Sequence, residues 1–321
     1  VNGWRGCILF DSAWDRLGFK QKRICFCCHA IRSMEEYVIK RMQILVAIMV
    51  VCLMGASANA DTIDTAAAGN WANTNTWGGG VLPGASDIAK ILHAVTITND
   101  AGTVVLISGN SNGSLTMNAG TLTVAGSGSN WNVVGIYSLS NSSTLTFNTL
   151  TRCGGTWVID NSTLTVGGNF QVRTKNPSFY TFRNGATGTF ADFQWYDVSA
   201  SITSEGSLNT LTFDENLIQS ADVTVADFVF VMDDTDAALS TFNFTTLDLT
   251  LAATWNLIVD VSSWNGVNGR FTLFDADTLT GAFDSVQFIG INAEDDAVTY
   301  DYDNGEITLD ITPRGMVLVV K

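Results

Sequence analysis

The sequence predicts an all-β protein: a right-handed parallel β-helix, followed by an antiparallel β region and preceded by a signal-peptide helix. Three observations carry this. Short alternating strands of the form Thr-Leu-Thr-Val recur along the chain, separated by Gly, Asn and Ser. Their leucine centres Leu122, Leu145 and Leu164 stand 23 and 19 residues apart, near one turn of a solenoid in which stacked rungs bury a continuous core. No stretch with a period near 3.6 residues follows residue 60.

The first 60 residues differ from the rest. They hold eight basic and four acidic side chains, a net of +4, whereas the other 261 hold eight and 27, a net of −19. Lys40-Arg41 precedes the apolar run Ile44–Met54, which is shorter than the roughly 20 residues a membrane span needs. The run ends in Ala58-Asn59-Ala60, the small-x-small pattern of a signal-peptidase site. These features predict secretion with cleavage after Ala60, no stable membrane span in the mature form, and a secreted, extracellular or cell-surface location. Met34 and Met42 are plausible starts, so residues 1–33 read as a non-native leader and 34–60 as the signal peptide. Cys25, Cys27, Cys28 and His29 are spaced too tightly for the usual paired zinc ligands, and no second pair follows. Cys52 lacks the small preceding residue that lipid attachment requires.

Residues 61–85 read as an entry or cap segment, 86–235 as the solenoid and 236–321 as an antiparallel β cap. In the solenoid, period-2 alternation sets Leu, Val, Phe and Met on one face and Thr on the other. Gly and Asn between strands supply the left-handed backbone of tight corners. After about residue 240 the strands lengthen, and Val298–Leu309 reads as a hairpin around Asn304-Gly305. The alternative fold is a jelly-roll β-sandwich; in-register stacking of residues about 20 apart separates the two.

Two segments carry a resemblance. Gly69-Asn70-Trp71, Trp77, Pro83-Gly84 and Asp87, then a strand from Ile88 to Ile97, resemble the opening of bacterial secreted β-helix proteins with autotransporter-associated β-strand repeats. Phe271-Thr272-Leu273-Phe274-Asp275, then Gly281-Ala282-Phe283 and a final hairpin, resemble their C-terminal segment. The resemblance implies a passenger-like solenoid whose tryptophans cap the apolar core. No outer-membrane barrel is seen after Val317–Val320, which departs from a true autotransporter.

The chemistry offered is narrow. Cys153 and His93 are the sole cysteine and histidine after residue 60, so neither an internal disulfide nor a histidine metal triad is available there. His93 reads as a strand-surface residue. The acidity argues against nucleic acid and anionic lipid partners. Ca²⁺ is the one cofactor left open, with Asp233, Asp234, Asp236, Asp301 and Asp303 as ligand candidates. Asp301-x-Asp303-Asn304-Gly305 mimics the start of an EF-hand loop, but its Gly is one place early and Thr312 stands where the closing Glu belongs, so a hairpin is preferred. Trp157, Trp195 and Tyr196 are candidates for stacking on sugars, weighed against a place in the core. The Thr-x-Thr strands suggest an ice-binding array, but repeats of unequal length argue for ordinary solvated strands. The residues favour a non-catalytic structural or adhesive surface or matrix protein. The alternatives are a carbohydrate-binding β-helix or a polysaccharide-active enzyme, with extracellular polysaccharide or cell-surface components as partners.

Overall fold

The structure, a computed structural model, describes residues 60–321 except 111, 127–132, 150, 173–176, 196–198, 207–208, 220–225, 233–239, 264–268, 291–297 and 312–321. The expected leader, residues 34–59 of the expected signal peptide and the cysteines of both lie outside the described residues.

Alternating Thr and apolar residues make strands because β-branched side chains favour extended backbone and every second residue turns inward. The strands stack in parallel: Thr121–Val124 pairs with Thr144–Phe147, which pairs with the first half of Thr163–Val172. Leu122 lies opposite Leu145, and Leu145 opposite Leu164. The spacing that suggested a solenoid is thus the coil repeat itself, and the sandwich alternative falls. A solenoid of about 6 turns occupies residues 62–231, with a mixed sheet at the C-terminus.

Each complete coil has three faces. The first face is a ladder through Ala94–Ile97, Ser114–Asn118, Ser178–Arg183, Ala200–Glu205 and Ala226–Val231. The central coils join it through Val133–Ser140 and Thr151–Asp160. The second face holds the Thr-x-Thr strands. The third starts with the sheet Thr62–Asp64, Ile88–Ile91 and Leu106–Gly109, and later coils build it from the far halves of the long strands.

Corners between the first and second faces need backbone that L residues rarely adopt. Asn141, Asn161 and Asn184 take φ of 55°, 45° and 57° there, as the sequence reading expects of asparagine. One column of polar residues lines the inside of this corner. The Gly120 N–H donates to the Ser143 hydroxyl, the Ser143 N–H to the Ser162 hydroxyl, and the Asn209 N–H to the Ser240 hydroxyl. Side chains one coil away thereby satisfy corner amides that the strand ladders leave unpaired.

The entry segment differs from expectation. Thr62–Asp64 and Gly69–Asn70 already pair in parallel with Ile88–Ile91 and Ala94–Ile97, so this segment is the first coil. Trp71 and Trp77 are buried against each other at 4.8 Å, edge to face, and the Trp77 indole N–H donates to the Trp71 carbonyl. They belong to the buried apolar core of this first coil.

The C-terminal region after the solenoid is a mixed sheet rather than a purely antiparallel one. Trp255–Asp260 continues the first face in parallel with Ala226–Val231, and Ser285–Ile289 continues it again. Among the described strands of the C-terminal region, antiparallel pairing joins Val298–Asp301 to Glu306–Ile311, and the latter to Gly269–Thr280. Longer strands and acidic loops do not reveal strand direction, because inward–outward alternation is the same in both pairings.

Candidate functional site

The aromatic sugar-binding candidates that the structure describes are core residues. Trp157 and Trp195 are both fully buried. Trp157 stacks on Tyr137 at 4.1 Å and 13°, and its indole N–H donates to the Gly154 carbonyl. Trp195 packs 5.5 Å from both Phe228 and Trp255. Neither presents a face to a soluble sugar, which corrects the stacking assignment; Tyr196 lies outside the described residues. Strand parity carried the signal: Trp157 is two residues from buried Ile159, and Trp195 two from buried Phe193.

The carboxylate candidates separate in the same way. Asp233, Asp234 and Asp236 lie outside the described residues. Asp301 sits at the mouth of the hairpin, where its carboxylate accepts from the Asn304 N–H at 3.1 Å and from the Asn304 amide at 2.8 Å. Asp303 is exposed in the same turn. The segment is therefore the hairpin preferred over an EF-hand loop. Gly305 takes φ of 70° and passes so close to the Ala276 carbonyl that a Cβ would collide with it. Among the described residues, no group of three or more His, Cys, Asp or Glu side chains is arranged to hold a metal.

Other acidic side chains bond to partners within a turn or one coil away. Asp64 meets Lys90 at 3.1 Å, Asp227 accepts from the Asn256 amide, and Asp248 accepts from the Thr278 hydroxyl. Asp160, Arg183 and Glu205 occupy successive rungs; Arg183 lies 2.9 Å from Asp160 and 4.0 Å from Glu205. A shallow groove of about 280 Å³ adjoins this ladder, lined by Arg183, Asn184, Glu205, Gly206 and Val231. His93 turns the corner between two strands, its Nδ1 against the Thr65 hydroxyl and carbonyl, an exposed structural role. Phe179, exposed on the first face, is an aromatic that the sequence reading did not single out.

Two carboxyls are held below the ordinary carboxylate range. For Asp100 the chief cause is the Thr121 hydroxyl, then the Gly102 N–H; for Asp301 it is the Asn304 side chain, then its N–H. A lowered folded-state value favours the ionised form. Its stabilising contribution is present above the unfolded value, near 3.8, and is lost as pH falls through the lowered one. Both groups are solvated, so the effect is local. In a carboxyl NMR titration, both are expected to show midpoints below 3.8, and Thr121→Val to move the Asp100 midpoint upward. An unmoved midpoint would remove the hydroxyl as the cause.

The second face is the most regular surface. Its outward residues are Thr121 and Thr123, Thr144 and Thr146, Thr163 and Thr165, Thr187 and Thr189, and Thr210 and Thr212. They form two rows across five consecutive coils, each threonine opposite the next in register. Only Thr121 among them donates its hydroxyl to a described protein group, Asp100 at 2.7 Å. Behind the rows lie Leu122, Leu145, Leu164 and Leu211 in one buried column, and Val124, Phe147, Val166, Phe190 and Phe213 in another. Gly188 replaces leucine in the first column, because a Cβ there would stand 2.7 Å from the Phe182 ring.

No helix among the described residues is long and apolar enough to cross a membrane. No family model, curated protein or solved structure matches the chain.

Proposed function

We propose that the protein is a secreted, non-catalytic β-solenoid with a structural or adhesive role at a cell surface or in an extracellular matrix. The observation that supports it is the use made of the polar side chains. Asp64, Asp160, Asp227 and Asp248 bond along the solenoid axis to the next rung, and Asp301 bonds within its own turn. Carboxylates engaged in this way brace flat faces. Acid–base cleavage of a glycosidic bond instead needs two carboxyls facing each other across a gap that admits the sugar. The signal-like segment before Asp61 and the resemblance to passenger-like β-helix proteins support the location; extracellular polysaccharide or a cell-surface component is the partner class.

The test is incubation of the full chain with neutral and acidic polysaccharides, with and without Ca²⁺. The expected result is no release of new reducing ends or unsaturated sugars. Shortened products would overturn the non-catalytic reading. A glycan array in the same two conditions then decides whether any adhesive contact is to carbohydrate.

A further inference from the structure

The unequal repeat lengths argued against a regular threonine array, yet the array is regular. The coils differ in length at their corners and on the other faces, while the Thr-x-Thr pairs of five coils remain in register. We propose that this second face binds ice, with its hydroxyls and the water held between its methyl groups continuing the crystal lattice.

Four features of the face support this. Stacked strands repeat about every 4.8 Å, and alternate residues along a strand about every 6.6 Å. The inter-strand repeat lies near an oxygen–oxygen repeat on the prism face of hexagonal ice; the spacing along a strand is shorter than the other ice repeat, but it separates only two rows, so the mismatch does not accumulate. Threonine is β-branched and stiff at its first torsion, so a hydroxyl and a methyl stand at each grid point with little freedom to lose on binding. In this grid only the Thr121 hydroxyl has a partner among the described residues; Thr121 and Thr210 are exposed and the other threonines half-buried. None of the ten grid positions carries a charge, and charged groups would orient water against a lattice. Charged side chains stand only at its margins, Asp100 bonded to Thr121 at one end and Asp214 beyond Phe213 on the last strand. Finally, the buried aliphatic and aromatic columns behind the grid hold it rigid. The array ends where its pattern ends. Thr241 donates its hydroxyl to the Thr272 carbonyl, and Asn243 replaces threonine in the second row.

This deepens the adhesive reading by naming what one face adheres to. The polysaccharide assay above decides catalysis separately, so either can fail alone. The test is partition of the purified full chain into a slowly growing ice front, with inhibition of ice recrystallisation as a second readout. Thr165→Lys with Thr189→Lys sets two charges on facing outward positions in the middle of the grid. Thr181→Lys with Thr203→Lys makes the same change on the first face. Circular dichroism melts check that each variant is folded.

Wild type and the first-face variant are expected to enter ice equally. The second-face variant should lose at least about tenfold, the change given by 1.4 kcal/mol of binding free energy. Exclusion of the wild type from ice, or equal entry of all three proteins, would overturn the proposal. So would retention on crystalline cellulose or chitin that only the second-face variant loses, without entry into ice. That outcome would assign the grid to a polysaccharide surface.

Discussion

Asn209→Ala is expected to destabilise the protein by about 3–5 kcal/mol, more than a typical surface or corner substitution. Asn209 is buried at the corner before the Thr210 strand, in the polar column that contains Ser143, Ser162 and Ser240. Its side-chain oxygen accepts from the Gly185 and Ala186 N–H groups at 3.1 and 3.0 Å. Its amide group lies 3.1 Å from the Phe182 carbonyl, 3.0 Å from the Ser204 hydroxyl and 2.8 Å from the Glu205 carbonyl. Alanine would strand two donors and two carbonyls where water has little access, and each buried unsatisfied group costs roughly 1–3 kcal/mol. Asn209→Asp removes the amide protons while keeping the acceptor, and buries a carboxylate beside two carbonyl oxygens, so it is expected to be at least as damaging near neutral pH. Ser143→Ala, which removes one acceptor from the same column, should cost only about 1 kcal/mol. Denaturant unfolding followed by circular dichroism decides this. Similar midpoints for Asn209→Ala and Ser143→Ala would show that the corner relaxes or admits water.

That residue also marks where sequence reading stops. The coil repeat was legible because Leu122, Leu145 and Leu164 share one inward column, and identical residues in a column leave an imprint at the coil spacing. The corner asparagines were legible as a class, since few other residues tolerate positive φ. Asn209 looks like one more corner asparagine, but its importance comes from atoms on two neighbouring coils, and no local pattern encodes that. Strand direction after residue 240 was hidden for a different reason. Alternation fixes which residues face inward, not which neighbour a strand pairs with, so the parallel continuation through Trp255–Asp260 looked no different from an antiparallel cap. The threonine grid lay between these cases. Its strands were visible, but their alignment depends on how corners absorb extra residues, and only the register shows it.

Trp157→Ala is the other large effect expected, a loss of about 3–5 kcal/mol. Trp157 stands in the central inward column of the first face, opposite Tyr137 on one side and Tyr180 on the other. It stacks at 4.1 Å on Tyr137 and at 6.2 Å on Tyr180, and meets Phe147 and Phe170 edge-on at 6.5 and 6.3 Å. Removal of the indole empties the middle of the core. The ladders above and below fix the coil spacing, so the walls cannot close on the cavity as those of a looser core could. The loss should therefore lie toward the upper end of the range, with Trp157→Phe costing markedly less. Because each coil contacts mainly its neighbours, the damage should be local in the native state. Hydrogen exchange should quicken first in Val133–Ser140, Thr151–Asp160 and Ser178–Arg183, while Trp255–Asp260 keeps its protection. Equal loss of protection in all four strands would show instead that the solenoid unfolds as one cooperative unit, with the column of aromatic side chains as the element that couples its coils.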